Sequence, residues 1–256
     1  MIIAAIIGLA VGLIVGALGA GGGILSVPVL VYLLGQTPHN AAAGSLVIVI
    51  LTAIVSILPH ARAGSVHWKD GALFGVLAIA GSTAGSRLSI LVDPDWLMFF
   101  FGILLACVSF LMIRKGRLQR RETGPDPRGQ VTPSILQLII AATLTGLLTG
   151  FFGVGGGFAV VPMLVMVLRF PMKEAAATSL LVMIIVSASG LLARLGTHVS
   201  IDWPIVLIFA ATSMIGGLLG GPITKRVENS TLTLAFGILL VCVSAVTLAE
   251  VAAKIF

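Results

Sequence analysis

The stretch GLIVGALGAGGGILSVP, Gly12 to Pro28, returns further along the chain as GLLTGFFGVGGGFAVVP, Gly146 to Pro162. Nine of the 17 aligned positions are identical, at a constant offset of 134. Three consecutive glycines inside an apolar run are poor helix formers, because glycine loses the most backbone freedom on ordering and leaves its peptide groups uncovered. The pattern predicts a broken helix at each copy. In hydrocarbon, backbone that is not helical persists only where protein buries it or where it lines a cavity. Paired breaks at matching places in two halves point to the substrate site of a transporter.

The surrounding composition, 58% hydrophobic and 9% charged, sets the class. No charged side chain precedes Arg62, and apolar runs of about 18 or more residues, long enough to cross a bilayer, recur along the chain. The chain reads as an all-α polytopic membrane protein. Its net charge of +6 does not indicate a nucleic-acid partner, since six of the 15 Lys and Arg residues fall between Arg114 and Arg128, where they read as a topology signal. Ala17-Leu18-Gly19 could mimic a signal-peptide cleavage site. A basic leader is absent and cleavage would cut the repeated motif, so the first segment is expected to stay. Cys107 and Cys242 occupy equivalent repeat positions without a C-x-x-C pair or clustered His; they read as small packing residues, and no metal or cofactor is expected.

A continuous helix over residues 1–34 would be about 50 Å long, well beyond a core of about 30 Å. Either Ile2 to Gly19 spans and Ile24 to Leu34 forms a half-helix that dips in without crossing, or the whole stretch is one bent crossing. Further segments are predicted at Ala41–Leu58, Gly71–Val92 and from Pro94 to about Ile113. Gly81-Ser-Thr-Ala-Gly85 is a small-residue pattern suited to close helix approach. The second half repeats them at Ile135–Leu168, Met172–Ala193, Trp203–Gly221 and Ser230–Ala252, and FGILLACVS at Phe101 to Ser109 matches FGILLVCVS at Phe236 to Ser244 in eight of nine positions. The expected organisation is a first membrane repeat over 1–113, a basic cytoplasmic connector over 114–133 and a second repeat over 134–256: about eight membrane segments in two homologous halves, each opening with a glycine-broken helix. With four crossings per half, 10 Lys and Arg residues share the connector's side and 5 lie opposite. With three or five, the halves would be inverted.

The glycine runs Gly21, Gly22, Gly23 and Gly155, Gly156, Gly157 would present backbone N–H groups just ahead of a helix start, where uncapped donors and the helix dipole favour an anion; close helix packing is the other reading. Ser45 and Ser179 pair at offset 134 and, with Thr178, could donate to that anion or bond back to their own helix. His60, Arg62 and Arg194 lie near segment ends. Arginine matches oxyanions with paired donors but also snorkels to interfaces, and His60 could titrate near neutral pH. Every Asp and Glu falls in a loop or near a segment end, which argues against a cation or proton relay in mid-membrane and for an anionic substrate. No Walker glycine loop, H-E-x-x-H or nucleophile elbow is present, so no enzymatic activity is expected.

The duplicated G-x-x-G-x-G-G-G-x-x-x-x-P-x-L, the Ala-Thr-Ser-Leu at 177–180, and the His/Arg loop followed by Ser-Val-His-Trp68 or Ser-Ile-Asp-Trp203 resemble the sulfite exporter TauE/SafE family. The resemblance covers about 1–113 and 134–256. It implies a small integral membrane carrier, with around eight segments, that exports sulfite or organosulfonates such as sulfoacetate. The family's motif falls on Gly19, Gly21, Gly22, Gly23 and Pro28, again on Gly153, Gly155, Gly156, Gly157 and Pro162, and on Thr178-Ser179; the first copy departs with Gly44 in place of the threonine. The expected function is a secondary carrier of a small oxyanion held between the breaks, working by alternating access between the halves. An uncoupled anion channel and a non-transporting membrane subunit are the alternatives. Partners are then the substrate anion and the lipid bilayer, with a homo-oligomer left open.

Overall fold

The computed structural model describes residues 2–19, 22–121, 135–194 and 201–255. All regular structure among them is helical: eight long helices and two short ones. The long helices are α1 (Ile2–Leu18), α3 (Pro38–Arg62), α4 (Trp68–Ser89), α5 (Pro94–Arg121), α6 (Ile135–Phe152), α8 (Met172–Ala193), α9 (Trp203–Arg226) and α10 (Asn229–Ile255). The short ones are α2 (Gly23–Pro28), which continues as a π-helical turn over Val29–Leu33, and α7 (Gly157–Met166). Seven of the long helices are long and apolar enough to cross a membrane, and α1, at 17 residues, falls just short. The chain is a multi-pass membrane protein.

Local chemistry sets several helix starts. Thr37 caps α3, accepting the Asn40 N–H at 3.4 Å, with Pro38 in the first turn where its missing N–H is no loss. Asp202 caps α9 in the same way through the Ile205 N–H at 3.3 Å.

The packing is reciprocal between the halves. α1 lies on α9, and its counterpart α6 lies on α4; α3 packs on α9 and α8 on α4; α5 and α10 pack on each other. Two groups result, each of mixed origin: α1, α2 and α3 with α9, and α6, α7 and α8 with α4. They meet where α3 packs on α8 and α2 on α7. Along α1 and α9 the contacts advance together, Gly8 facing Thr212, Gly12 facing Ser213 and Gly16 facing Gly217, at distances where a Cβ would overlap the partner. The expected close approach at Gly81 and Gly85 is of the same kind, against the α6 backbone at Thr143 and Leu147.

These contacts also fix helix direction. One end of the bundle collects the C-terminal ends of α1, α3 and α9, where Gly16, His60 and Gly221 come together, and the N-terminal ends of α4 and α8, where His67 meets Glu174. The opposite end collects the C-terminal ends of α4, α6 and α8 at Ser89, Gly150 and Arg194. Thus α1, α3 and α9 run one way and α4, α6 and α8 the other, so each helix and its counterpart 134 residues on are inverted. Since α1 and α3 run in the same sense, α2 and its π turn must return the chain. Eleven residues span about 16 Å, half of a hydrocarbon core. Of the two arrangements that the sequence leaves open for residues 1–34, the chain adopts the half-helix that dips in without crossing.

Candidate functional site

The two glycine breaks touch. Gly23 at the start of α2 packs so closely on Val154 that a Cβ would overlap the Val154 carbonyl. Gly155 sits against Val49 of α3, and Gly22 has Ile48 of the same helix nearby. Gly19 and Gly153 both take up left-handed backbone, φ 62° and 65°, and each lies on the backbone of the second alanine of a repeated Ala-Ala-Ala, Ala176 and Ala42 respectively.

Ser45 and Ser179 converge on these turns across the two groups. The Ser45 hydroxyl donates to the Gly153 carbonyl, and Ser179 donates to the Gly19 carbonyl at 3.0 Å. Each also reaches back to its own helix, to Ala42 O and Ala176 O. A hydroxyl has one proton, so in this conformation the serines clamp the breaks and do not present a donor to the space between them. Thr178 does not join them. Its hydroxyl is buried and accepts the His67 N–H at 3.1 Å, closing the start of α4 onto α8, where His67 Nε2 also meets Glu174 Oε2 at 2.8 Å.

His60 and Arg194 are counterparts, and both are buried. His60 Nε2 lies 2.8 Å from the Gly16 carbonyl; an oxygen of that kind only accepts, so this nitrogen carries the proton. Arg194 donates to the Gly150 carbonyl at 3.1 Å and to Ser89 Oγ at 3.0 Å. Both therefore hold the last turn of the helix that precedes a break, one turn before Gly19 or Gly153. Arg62 is exposed at the end of α3 and does not come to the breaks. Gly21 lies outside the described residues.

At the second break, Gly156 (φ 81°) precedes α7, whose first backbone bonds run from the Ala159 and Val160 N–H groups to Gly156 O. The N–H groups of Gly157 and Phe158 thus have no intrahelical partner, the usual position of an anion-ready helix start. At the first break the buried hydroxyl of Ser26 has no hydrogen-bond partner among the described residues and lies 3.7 Å from where a Gly22 Cβ would be. Ser26 is not among the residues expected from sequence: its counterpart, Val160, carries no hydroxyl, and its one signal is a serine inside a wholly apolar segment. Thr52 and Ser56 are also buried without a partner, but they face Gly217 of α9. The cavities on α6 and α7, on α5, and beside Gln36 and Asp202 lie away from the breaks.

Among relatives, a "Probable membrane transporter protein" of Xylella fastidiosa (strain Temecula1 / ATCC 700964) is 35% identical over 243 residues, covering 91% of this chain and 89% of that protein. "Probable membrane transporter protein YunE" of Bacillus subtilis (strain 168) is 29% identical, covering 94% and 95%. "Probable membrane transporter protein MJ0441" of Methanocaldococcus jannaschii is 28% identical, covering 92% and 90%. No solved structure matches the chain. Residues 4–247 match the family model described as sulfite exporter TauE/SafE, so this membrane transporter belongs to the sulfite exporter TauE/SafE family.

Proposed function

We propose that the chain is a secondary carrier that exports a small sulfur oxyanion, sulfite or a sulfoacetate-like sulfonate, by alternating access around the two breaks. The observation that carries this reading is the pair of crossed serine bonds, Ser45 to Gly153 O and Ser179 to Gly19 O, which tie the two helix groups together at the breaks. An oxyanion entering there accepts hydrogen bonds and competes with the two carbonyls for the serine protons. Ser26 Oγ and the N–H groups of Gly157 and Phe158 supply further donors, and helix α7 points its positive end at the charge. Once the serines turn to the anion, the links between the groups are released. The rocking bodies are then α1–α2–α3–α9 and α4–α6–α7–α8, which cut across the sequence halves.

The direction of the helices supports a cytoplasmic connector. Arg62, Lys69, Arg114, Lys115, Arg117, Arg120, Arg121, Arg169, Lys173, Lys225 and Arg226 belong to the connector's end of the bundle, against Arg87, Arg194 and Lys254 at the other. That bias exceeds the one counted for four crossings per half, and Lys/Arg excess marks the cytoplasmic side.

The test is counterflow in proteoliposomes loaded with unlabelled sulfite and, separately, sulfoacetate. Saturable uptake of labelled anion, stimulated by the same anion inside, is expected of the carrier. Saturable flux without counterflow would assign a channel instead, and absence of flux with co-purification of another chain would assign a subunit.

A further inference from the structure

We propose that the outer face of α6 and α7 binds an anionic phospholipid, its headgroup on Arg169 and an acyl chain in the groove between the helices. A cavity of about 460 Å³ opens there, walled by Ile140, Leu144, Met163 and Met166, with Gln137 and Arg169 at one end. Gln137 lies in the first turn of α6, and Arg169 follows the C-terminal end of α7, so the polar end of the groove is at the connector's face of the bundle and the apolar part runs into the hydrocarbon. Lys115 Nζ, in the last part of α5, reaches the Val165 carbonyl of α7 at 2.7 Å and independently places this end of α7 at the same face.

Arg169 is exposed and, among the described residues, has no hydrogen-bond or ion-pair partner. It is also the one non-glycine residue there with positive φ, at 56°. Its counterpart 134 residues earlier is Gly35, φ 66°, which takes the same left-handed turn at no steric cost. Placing a long cation on a backbone that disfavours side chains makes sense where the charge has a use. A phosphate at the level of the interface, with its acyl chain against Ile140 and Met163, supplies both the missing counter-charge and the cover for the apolar walls.

The site is tested by thermal unfolding of the delipidated, detergent-solubilised protein titrated with phosphatidylglycerol or phosphatidylcholine. Two variants are compared with the wild type: Arg169→Gly, which restores the residue of the first half and suits the backbone, and Ile140→Trp, which fills the groove. Phosphatidylglycerol is expected to raise the melting temperature of the wild type, with apparent affinity about fivefold weaker in Arg169→Gly, the loss of one cation's attraction to an anionic headgroup. Ile140→Trp is expected to lose the phosphatidylglycerol response. Equal responses of wild type and Arg169→Gly, or equal stabilisation of the wild type by the two lipids, would overturn the proposal.

Discussion

The two glycine breaks share most of their sequence and differ in conformation. The second turns on left-handed glycines at Gly153, Gly155 and Gly156 and opens directly into ten residues of α-helix. At the first, among the described residues, Gly19 is left-handed but Gly22, the counterpart of Gly156, leads into α2 in right-handed backbone, φ −48° and ψ −27°, and after six residues α2 widens into a π turn. Pro28 lacks the N–H that would bond the carbonyl four residues back, yet Pro162 holds the same place in α7 and no π turn follows it. The proline alone does not account for the π turn. What the difference teaches is that a repeated motif sets where the helix breaks, while its neighbours decide how.

The largest expected effect comes from Gly156→Ala. A left-handed φ of 81° and an overlap of the new Cβ with Thr149 should together cost about 2–4 kcal/mol, measurable as a fall in melting temperature in detergent. Next is Arg194→Leu against His60→Leu. Loss of a charged donor to Gly150 O and Ser89 should cost about 2–3 kcal/mol, and loss of one imidazole bond to Gly16 O about 1 kcal/mol. Equal losses would mean that the two buried counterparts hold their helix ends with equal strength.

Ser45→Ala and Ser179→Ala remove matching bonds, so each should cost about 1–2 kcal/mol and the two should agree within about 0.5 kcal/mol. If either serine also meets substrate, its variant will raise the half-saturating anion concentration in the counterflow assay, which a purely structural role would leave alone. The smallest effect should be that of Gly22→Ala. The nearest atoms to its Cβ are Ser26 Oγ and Val15 at 3.7 Å and Ile48 at 3.9 Å, ordinary contacts, so stability should change by about 0.5 kcal/mol or less. A cost as large as that of Gly156→Ala would erase the distinction between the breaks.

Much of this was legible from residue order. Apolar length placed most of the long helices to within a few residues, although α5 runs on to Arg121, eight residues past the expected end and into the stretch read as connector, and Gly81 to Gly85 announced a close helix approach that the α4–α6 contact contains. The pairing of Ser45 with Ser179 was visible, but the destination of their protons was not. A serine reads the same whether it faces a carbonyl of its own helix, one from the other half, or a ligand. Arg62 and Arg194 looked alike as segment-end arginines; one is exposed, and the other is 5% exposed and bonded to a helix end. The sequence also allowed either sense for the second half, because a helical period carries no sign for direction across a bilayer.

Residue order by itself determined that this chain is helical, that it lives in a membrane and that its helices break at Gly19–Gly23 and Gly153–Gly157. Those properties follow from local backbone entropy and the absence of water in hydrocarbon, which act on each segment separately. Tertiary structure alone decided that the halves run in opposite senses, that α1 lies on α9 and α6 on α4, and that Ser45 and Ser179 close on each other's breaks. Between membrane helices the driving force is close packing and the satisfaction of polar groups, and both depend on which surfaces meet.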